Sequence, residues 1–182
     1  NGGIFIAGSS SSISAFAVSS QQVAYGGGPR DGFILKLFPD GTLEWCSYYG
    51  GSGDDQITSM SVGFQGELYF IGETSSSDLL TIDALQPVYG GGASDFYIGM
   101  IDPGGFLLRY SYFGGTGAEL AGDVVATNDY NIYIAGTTSS SSGMAAGGAQ
   151  NTFGGGAYDG FYAKINSGNI VEWASYIGGP SE

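Results

Sequence analysis

The chain has 182 residues with 35 glycines, 42% hydrophobic and 14% aromatic residues but only 12% charged, too apolar for a disordered segment and too rich in glycine and tyrosine for a helical one. Its 17 acidic residues face only Arg30, Lys36, Arg109 and Lys164, and the formal charge of −13 repels phosphate backbones, which argues against nucleic acid and anionic membrane surfaces as partners. There is no histidine, so Ser-His-Asp and Cys-His constellations and imidazole metal sites cannot be built.

Asn1-Gly2-Gly3 does not open a signal peptide, and no apolar run approaches the ~20 residues of a membrane span, so the sequence reads as a mature or excised segment. The first predicted strand is Ile4-Phe5-Ile6-Ala7, an apolar run without alternation, which implies burial on both faces. It returns as Leu68-Tyr69-Phe70-Ile71 and as Ile132-Tyr133-Ile134-Ala135, each time after 64 residues. A fixed interval of that size means an array of modules, each one supersecondary unit that cannot bury its apolar faces alone. Ser/Thr tracts follow at Ser9 to Ser14, Thr74 to Ser77 and Thr137 to Ser142, and their low complexity predicts solvated loops.

The triplets at Gly26, Gly90 and Gly154 come next and suit backbone of positive φ. No Lys-Ser or Lys-Thr follows them and no helix is expected beyond them, so they are structural rather than a phosphate cradle. A second strand is predicted at Asp31 to Leu37, Asp95 to Ile101 and Asp159 to Ile165, with the leading aspartate placed to accept backbone N–H groups. Turns at Pro39-Asp40-Gly41, Asp102-Pro103-Gly104 and Asn166-Ser167-Gly168 lead to a third strand at Thr42 to Tyr49, Phe106 to Phe113 and Ile170 to Ile177. The single cysteine, Cys46, has Tyr110 and Ala174 as its counterparts, which fits a filler of the core and leaves no internal disulfide. A fourth strand is predicted at Ile57 to Val62 and Asp123 to Ala126.

Four short antiparallel strands per module, apolar on both faces, describe an all-β protein of β-propeller blades. The modules are 1–53, a first blade lacking its opening strand, then 54–117 and 118–182. Such an array is expected to belong to a larger or multi-chain assembly, its partners being further blades of the same polypeptide or other copies of itself.

The motifs Asn131-Ile132-Tyr133-Ile134-Ala135-Gly136-Thr137-Thr138, Phe153-Gly154-Gly155-Gly156 with Asp159-Gly160-Phe161-Tyr162-Ala163-Lys164, and Ser47-Tyr48-Tyr49-Gly50-Gly51-Ser52-Gly53-Asp54-Asp55 resemble the bacterial seven-bladed β-propeller repeats called SBBP. The resemblance covers nearly the whole chain. It implies a propeller in a secreted or cell-surface bacterial protein, and no catalytic set. The second module departs from the pattern, with Arg109 where Trp45 and Trp173 stand, Met100 in place of Lys36 and Lys164, and Ala118-Glu119 in place of Asp54-Asp55.

The chemistry left open is carboxylate chemistry. Asp54-Asp55, or Glu44 with Glu172, could in principle supply the pair of a glycosidase, although carboxylates in a glycine-rich turn read first as solvated. Asp54, Asp55 and Glu119 are the candidate ligands of a calcium ion, without the alternating aspartates of a calcium loop. No other cofactor is implied. The expected function is a noncatalytic extracellular structural or adhesive module, one that can assemble head to tail into a filament or form part of a large surface protein; the alternative is a propeller that binds a glycan or a surface protein.

Overall fold

The apolar runs between glycine pairs become strands. The computed structural model describes residues 3–13, 17–18 and 21–181, and among these it contains eleven strands and no helix. β1 (Ile4–Ser10), β2 (Asp31–Leu37) and β3 (Leu43–Tyr49) form a first antiparallel sheet of three strands. β4 (Asp55–Val62), β5 (Leu68–Thr74), β6 (Asp95–Ile101) and β7 (Leu107–Phe113) form the second, and β8 (Glu119–Ala126), β9 (Ile132–Thr138), β10 (Asp159–Ile165) and β11 (Val171–Ile177) the third. Strand neighbours in each sheet are neighbours in sequence, so each sheet is a simple meander.

The turns between the second and third strands of each sheet follow from one side chain apiece. Asp40 Oδ1 accepts the Thr42 N–H (2.9 Å), Asp102 Oδ1 the Phe106 N–H (2.9 Å) and Asn166 Oδ1 the Ile170 N–H (3.1 Å), the bonding expected of Asp and Asn at turns. In the glycine triplets, Gly28, Gly92 and Gly156 have φ of 62°, 68° and 73°, a region that residues with a Cβ seldom adopt.

Successive residues of a strand point to opposite faces, and the second sheet has a neighbour on each face. Along β5, Leu68 and Phe70 join a cluster with Ile34, Trp45 and Tyr49 of the first sheet, while Tyr69 and Ile71 join a cluster with Val124, Ile134 and Phe161 of the third. This is why the run reads as continuously apolar: alternation exists in geometry but both faces meet protein. β4 packs against β1 and β2, and β8 against β4, β5 and β6.

Of the three apolar runs, only Leu68 to Ile71 in the central sheet is buried on both faces. Ile4 and Ile6 are 48% and 42% exposed, whereas their counterparts Leu68 and Phe70 are at 1% and 0%. Tyr133 is 39% exposed against 5% for Tyr69. The outer sheets have a neighbour on one side alone among the described residues, and their apolar residues on the other side stay open.

Two further expectations are corrected. The fourth strand of the pattern begins at Asp55 and Glu119 rather than at Ile57 and Asp123, because these acids pair in register with Thr74 and Thr138. The Ser/Thr tracts are not simply solvated loops: Thr74, Ser76, Thr138 and Ser140 are all buried, and Ser9 and Ser10 belong to β1. Ser14 of the first tract lies outside the described residues.

Candidate functional site

The buried Ser/Thr residues lead to polar clusters at the two sheet junctions. Asp31 opens β2, and its Oδ2 accepts the Gly26 N–H (2.5 Å) and the amide of Gln22 (3.4 Å). Gln22 Oε1 accepts the Gly50 N–H, which joins the triplet loop to the end of β3. Asp55, at the start of β4 in the next sheet, accepts the Gly51 N–H (2.8 Å) and the Ser76 hydroxyl (2.7 Å) at Oδ2. Asp31 and Asp55 thus stand at the same end of the first junction, one from each sheet, and both are fully buried.

The second junction repeats the arrangement. Asp95 accepts the Gly90 N–H (2.6 Å) and the Gln86 amide (3.4 Å), while Glu119 accepts the Thr138 hydroxyl (2.6 Å), the Ser140 hydroxyl (2.7 Å) and the Gly115 N–H (3.0 Å). Burial, reinforced by the facing carboxylate, pushes Asp31 up to about 6 and Asp95 up to about 7, against the N–H bonds that pull them down. Asp55 is also raised by burial, against the bonds from Thr74, Gly51 and Ser76.

The three candidate metal ligands do not converge. Asp54 lies at the surface, held by Arg30 through Nε (2.9 Å) and Nη2 (2.7 Å), and this pairing draws its carboxyl below the usual range. Asp55 and Glu119 occupy corresponding positions at different junctions. No group of three or more Cys, Asp or Glu placed to hold a metal occurs among the described residues. Glu44 and Glu172 are not a facing pair either: they lie in different sheets, each bridged to a lysine, Lys36 (2.9 Å) and Lys164 (2.7 Å). Cys46 is buried, and burial pushes its thiol up to about 11, away from nucleophilic use.

Glu119→Ala is expected to cost about 1–3 kcal/mol in urea unfolding, because three donors lose their acceptor inside the protein. Asp54→Ala, which breaks a surface ion pair, is expected to cost about 0.2–1 kcal/mol.

The outer edges of the junctions explain the divergent second module. Trp45 is buried under the turn of the next sheet, where a Cβ on Gly105 would lie 3.0 Å from its Cε2, and Lys36 Nζ donates to the Pro103 carbonyl (2.9 Å). At the second junction Arg109 takes the Trp position, pairing with Asp83 (3.0 Å) and donating to the Ser167 carbonyl (3.2 Å). Apolar cover is replaced by a polar bridge, and the two junctions close by different chemistry. At the far face of the third sheet, Trp173 meets Tyr133 at a tilt and Tyr162 edge to face, with ring centroids 6.0 and 5.6 Å away, beside a shallow opening.

Sequence reading missed Gln22, Gln86 and Gln150. All three recur at the 64-residue interval and each one bonds the glycine pair after the third strand, so the interval itself was the signal. No protein-family model matches the chain, and no curated protein matches it.

Proposed function

We propose that the chain is a row of β-propeller blades serving as a noncatalytic structural or adhesive module of an extracellular or cell-surface protein, its two outer faces covered by further blades of the same repeat. The observation that carries this reading is that the two open faces have the composition of the two halves of a junction already made. Ile4 and Ile6 stand at the positions of Leu68 and Phe70, which pack on the preceding sheet, and Tyr133 with Trp173 stands at the positions of Phe5 with Trp45, which pack on the following one. The ring spacing is the same, 6.1 Å for Phe5 and Trp45 and 6.0 Å for Tyr133 and Trp173. A following blade would cover Trp173 as the turn at Gly105 covers Trp45.

Three sheets do not close a ring, since propellers take about four to eight blades. The missing blades come from the same polypeptide or from other copies, and a head-to-tail contact that does not close makes a filament. The acidic, Ser- and Gly-rich surface fits an extracellular setting.

Sedimentation of this chain over a range of concentrations tests the reading. Concentration-dependent association, lost in both Ile6→Lys and Trp173→Lys, is the expected result; a monomer at every concentration, together with a native polypeptide that holds no further repeats, would reject it. The aromatic group of exposed Tyr133 and half-buried Tyr162 and Trp173 also supports a second reading, a glycan-binding propeller, because such rings stack on sugar faces. Saturable binding on a glycan array that disappears in Trp173→Ala without any change in association would favour it.

A further inference from the structure

At each sheet junction two carboxyl groups, one from each sheet, approach the same glycine. A Cβ built on Gly50 would lie 2.8 Å from Asp31 Oδ1 and 2.9 Å from Asp55 Oδ2, and one built on Gly114 would lie 2.5 Å from Asp95 Oδ1 and 2.7 Å from Glu119 Oε2. The donors from Gly26 and Gln22 go to Asp31 Oδ2 and those from Gly90 and Gln86 to Asp95 Oδ2, while Asp31 Oδ1 and Asp95 Oδ1 are buried without a partner, as are Asp55 Oδ1 and Asp159 Oδ1. An acceptor oxygen left unmatched in the interior next to a second carboxylate is costly, and the cost disappears if that oxygen carries a proton and becomes a donor.

We propose that Asp31 and Asp95 are protonated at Oδ1 and donate across the junction to Asp55 and Glu119, so that neighbouring sheets are joined by carboxyl-to-carboxylate hydrogen bonds made in mild acid and broken as the pH rises. A proton fits where a cation does not. A hard divalent ion takes about six to eight oxygen ligands, whereas the nearest groups here are donors, the N–H of Gly26 and of Gly51 and the hydroxyl of Ser76.

The raised pKa values of the two aspartates agree with this geometry and set the window. A carboxyl whose folded pKa lies above its unfolded value stabilises the fold fully below the unfolded value, 3.8 here, and that contribution is lost as the pH climbs through about 6 for Asp31 and about 7 for Asp95. The other ionisable groups around the Asp31–Asp55 pair are Asp54 with its partner Arg30, Asp78 beside Gly51, Glu73 of β5, Tyr25 and Tyr48, and the buried Tyr49, Tyr97 and Tyr110; β1 contributes none. Tyr89, Tyr112 and, beyond Glu119, Tyr176 face the second pair. Burial raises all of these tyrosines above their ordinary range, and Arg30 holds Asp54 below its own, which keeps them out of the window.

Asp31→Asn combined with Asp95→Asn keeps a donor at each position without a titrating group. Urea unfolding of the full chain and of this double variant, from about pH 4.5 to about pH 7.5, should show the unfolding constant of the wild type rising relative to the variant by up to tenfold per pH unit per carboxyl. A ratio independent of pH would overturn the proposal. Infrared spectra provide a readout that stability alone would not move: a carboxylic-acid C=O band at about pH 5.5, weakened in the double variant, is expected for a carboxyl of raised pKa. Absence of that band in the wild type would also overturn the proposal. So would stabilisation of the wild type, but not of the variant, by calcium chloride at neutral pH, which would assign the paired oxygens to a cation.

Discussion

Phe70→Ala is expected to lower the unfolding free energy by about 3–5 kcal/mol, the range for truncating a fully buried phenylalanine. The ring is at 0% exposure and lies between three others, with centroid separations of 5.0 Å to Tyr49, 6.0 Å to Tyr97 and 6.1 Å to Tyr110. Gly99 lies directly beneath it on β6, so the backbone there offers no side chain to collapse into the gap. Domains of this size are stable by roughly 5–15 kcal/mol, and the loss is therefore a large part of the total. It falls unevenly, because Phe70 belongs to the core shared by the first and second sheets and not to the core shared by the second and third. Hydrogen exchange should show β1 to β3 losing protection first while β8 to β11 keep theirs. Phe64→Ala, at a turn where the ring is 67% exposed, should change stability by no more than about 0.5 kcal/mol. Equal losses at the two positions would mean that the sheets are not held by the packed faces.

The strands were legible in the sequence because their ends are marked by residues with one conformational job. The predicted ranges of β2, β6 and β10 coincide with the observed ones, each opened by an aspartate bonded to the triplet loop and closed before an Asp or Asn turn. The starts of β4 and β8 were not legible. Asp55 and Glu119 look like loop residues in a linear reading, and what puts them in strands is a set of partners from elsewhere: the Ser76 or Ser140 hydroxyl from the next loop and the Gly51 or Gly115 N–H from the preceding sheet. The same tertiary contacts bury Thr74, Ser76, Thr138 and Ser140, which composition alone assigns to solvent. Polar residues that satisfy one another across a junction leave no trace in hydropathy, and only their recurrence at 64 residues could have shown them.

The candidate site was legible in part for the same reason. Asp31, Asp95 and Asp159 were readable as acceptors of loop N–H groups, and the structure places them so. That Asp31 and Asp95 would each face an acid from the following sheet was not readable, because the pairing depends on how the sheets stack rather than on spacing along the chain. Asp54, adjacent in sequence to Asp55, shows the limit of adjacency: its neighbour is sealed in the junction while Asp54 itself stays with Arg30 at the surface.

Gly115→Ala and Gly179→Ala separate the contribution of a neighbouring sheet from that of the local sequence. Both glycines end a Tyr-aromatic or Tyr-Ile segment with the same Gly-Gly pair, and neither has a positive φ. A Cβ on Gly115 would come within 2.6 Å of the Ser140 Cβ in the following sheet, whereas one on Gly179 would meet nothing within 4 Å. Overpacking of the first kind costs about 1–3 kcal/mol, and it would also push Ser140 away from Glu119. Gly179→Ala is expected to leave the unfolding midpoint of this chain unchanged within about 0.5 kcal/mol. The proposed longer row of blades reverses that outcome: when a further blade covers the face bearing Tyr133 and Trp173, the position of Gly179 becomes that of Gly115, and the same silent substitution should weaken association measured by sedimentation. If Gly179→Ala leaves association intact while Trp173→Lys abolishes it, the covering partner meets the aromatic face without using the glycine pair and is not a blade of this repeat.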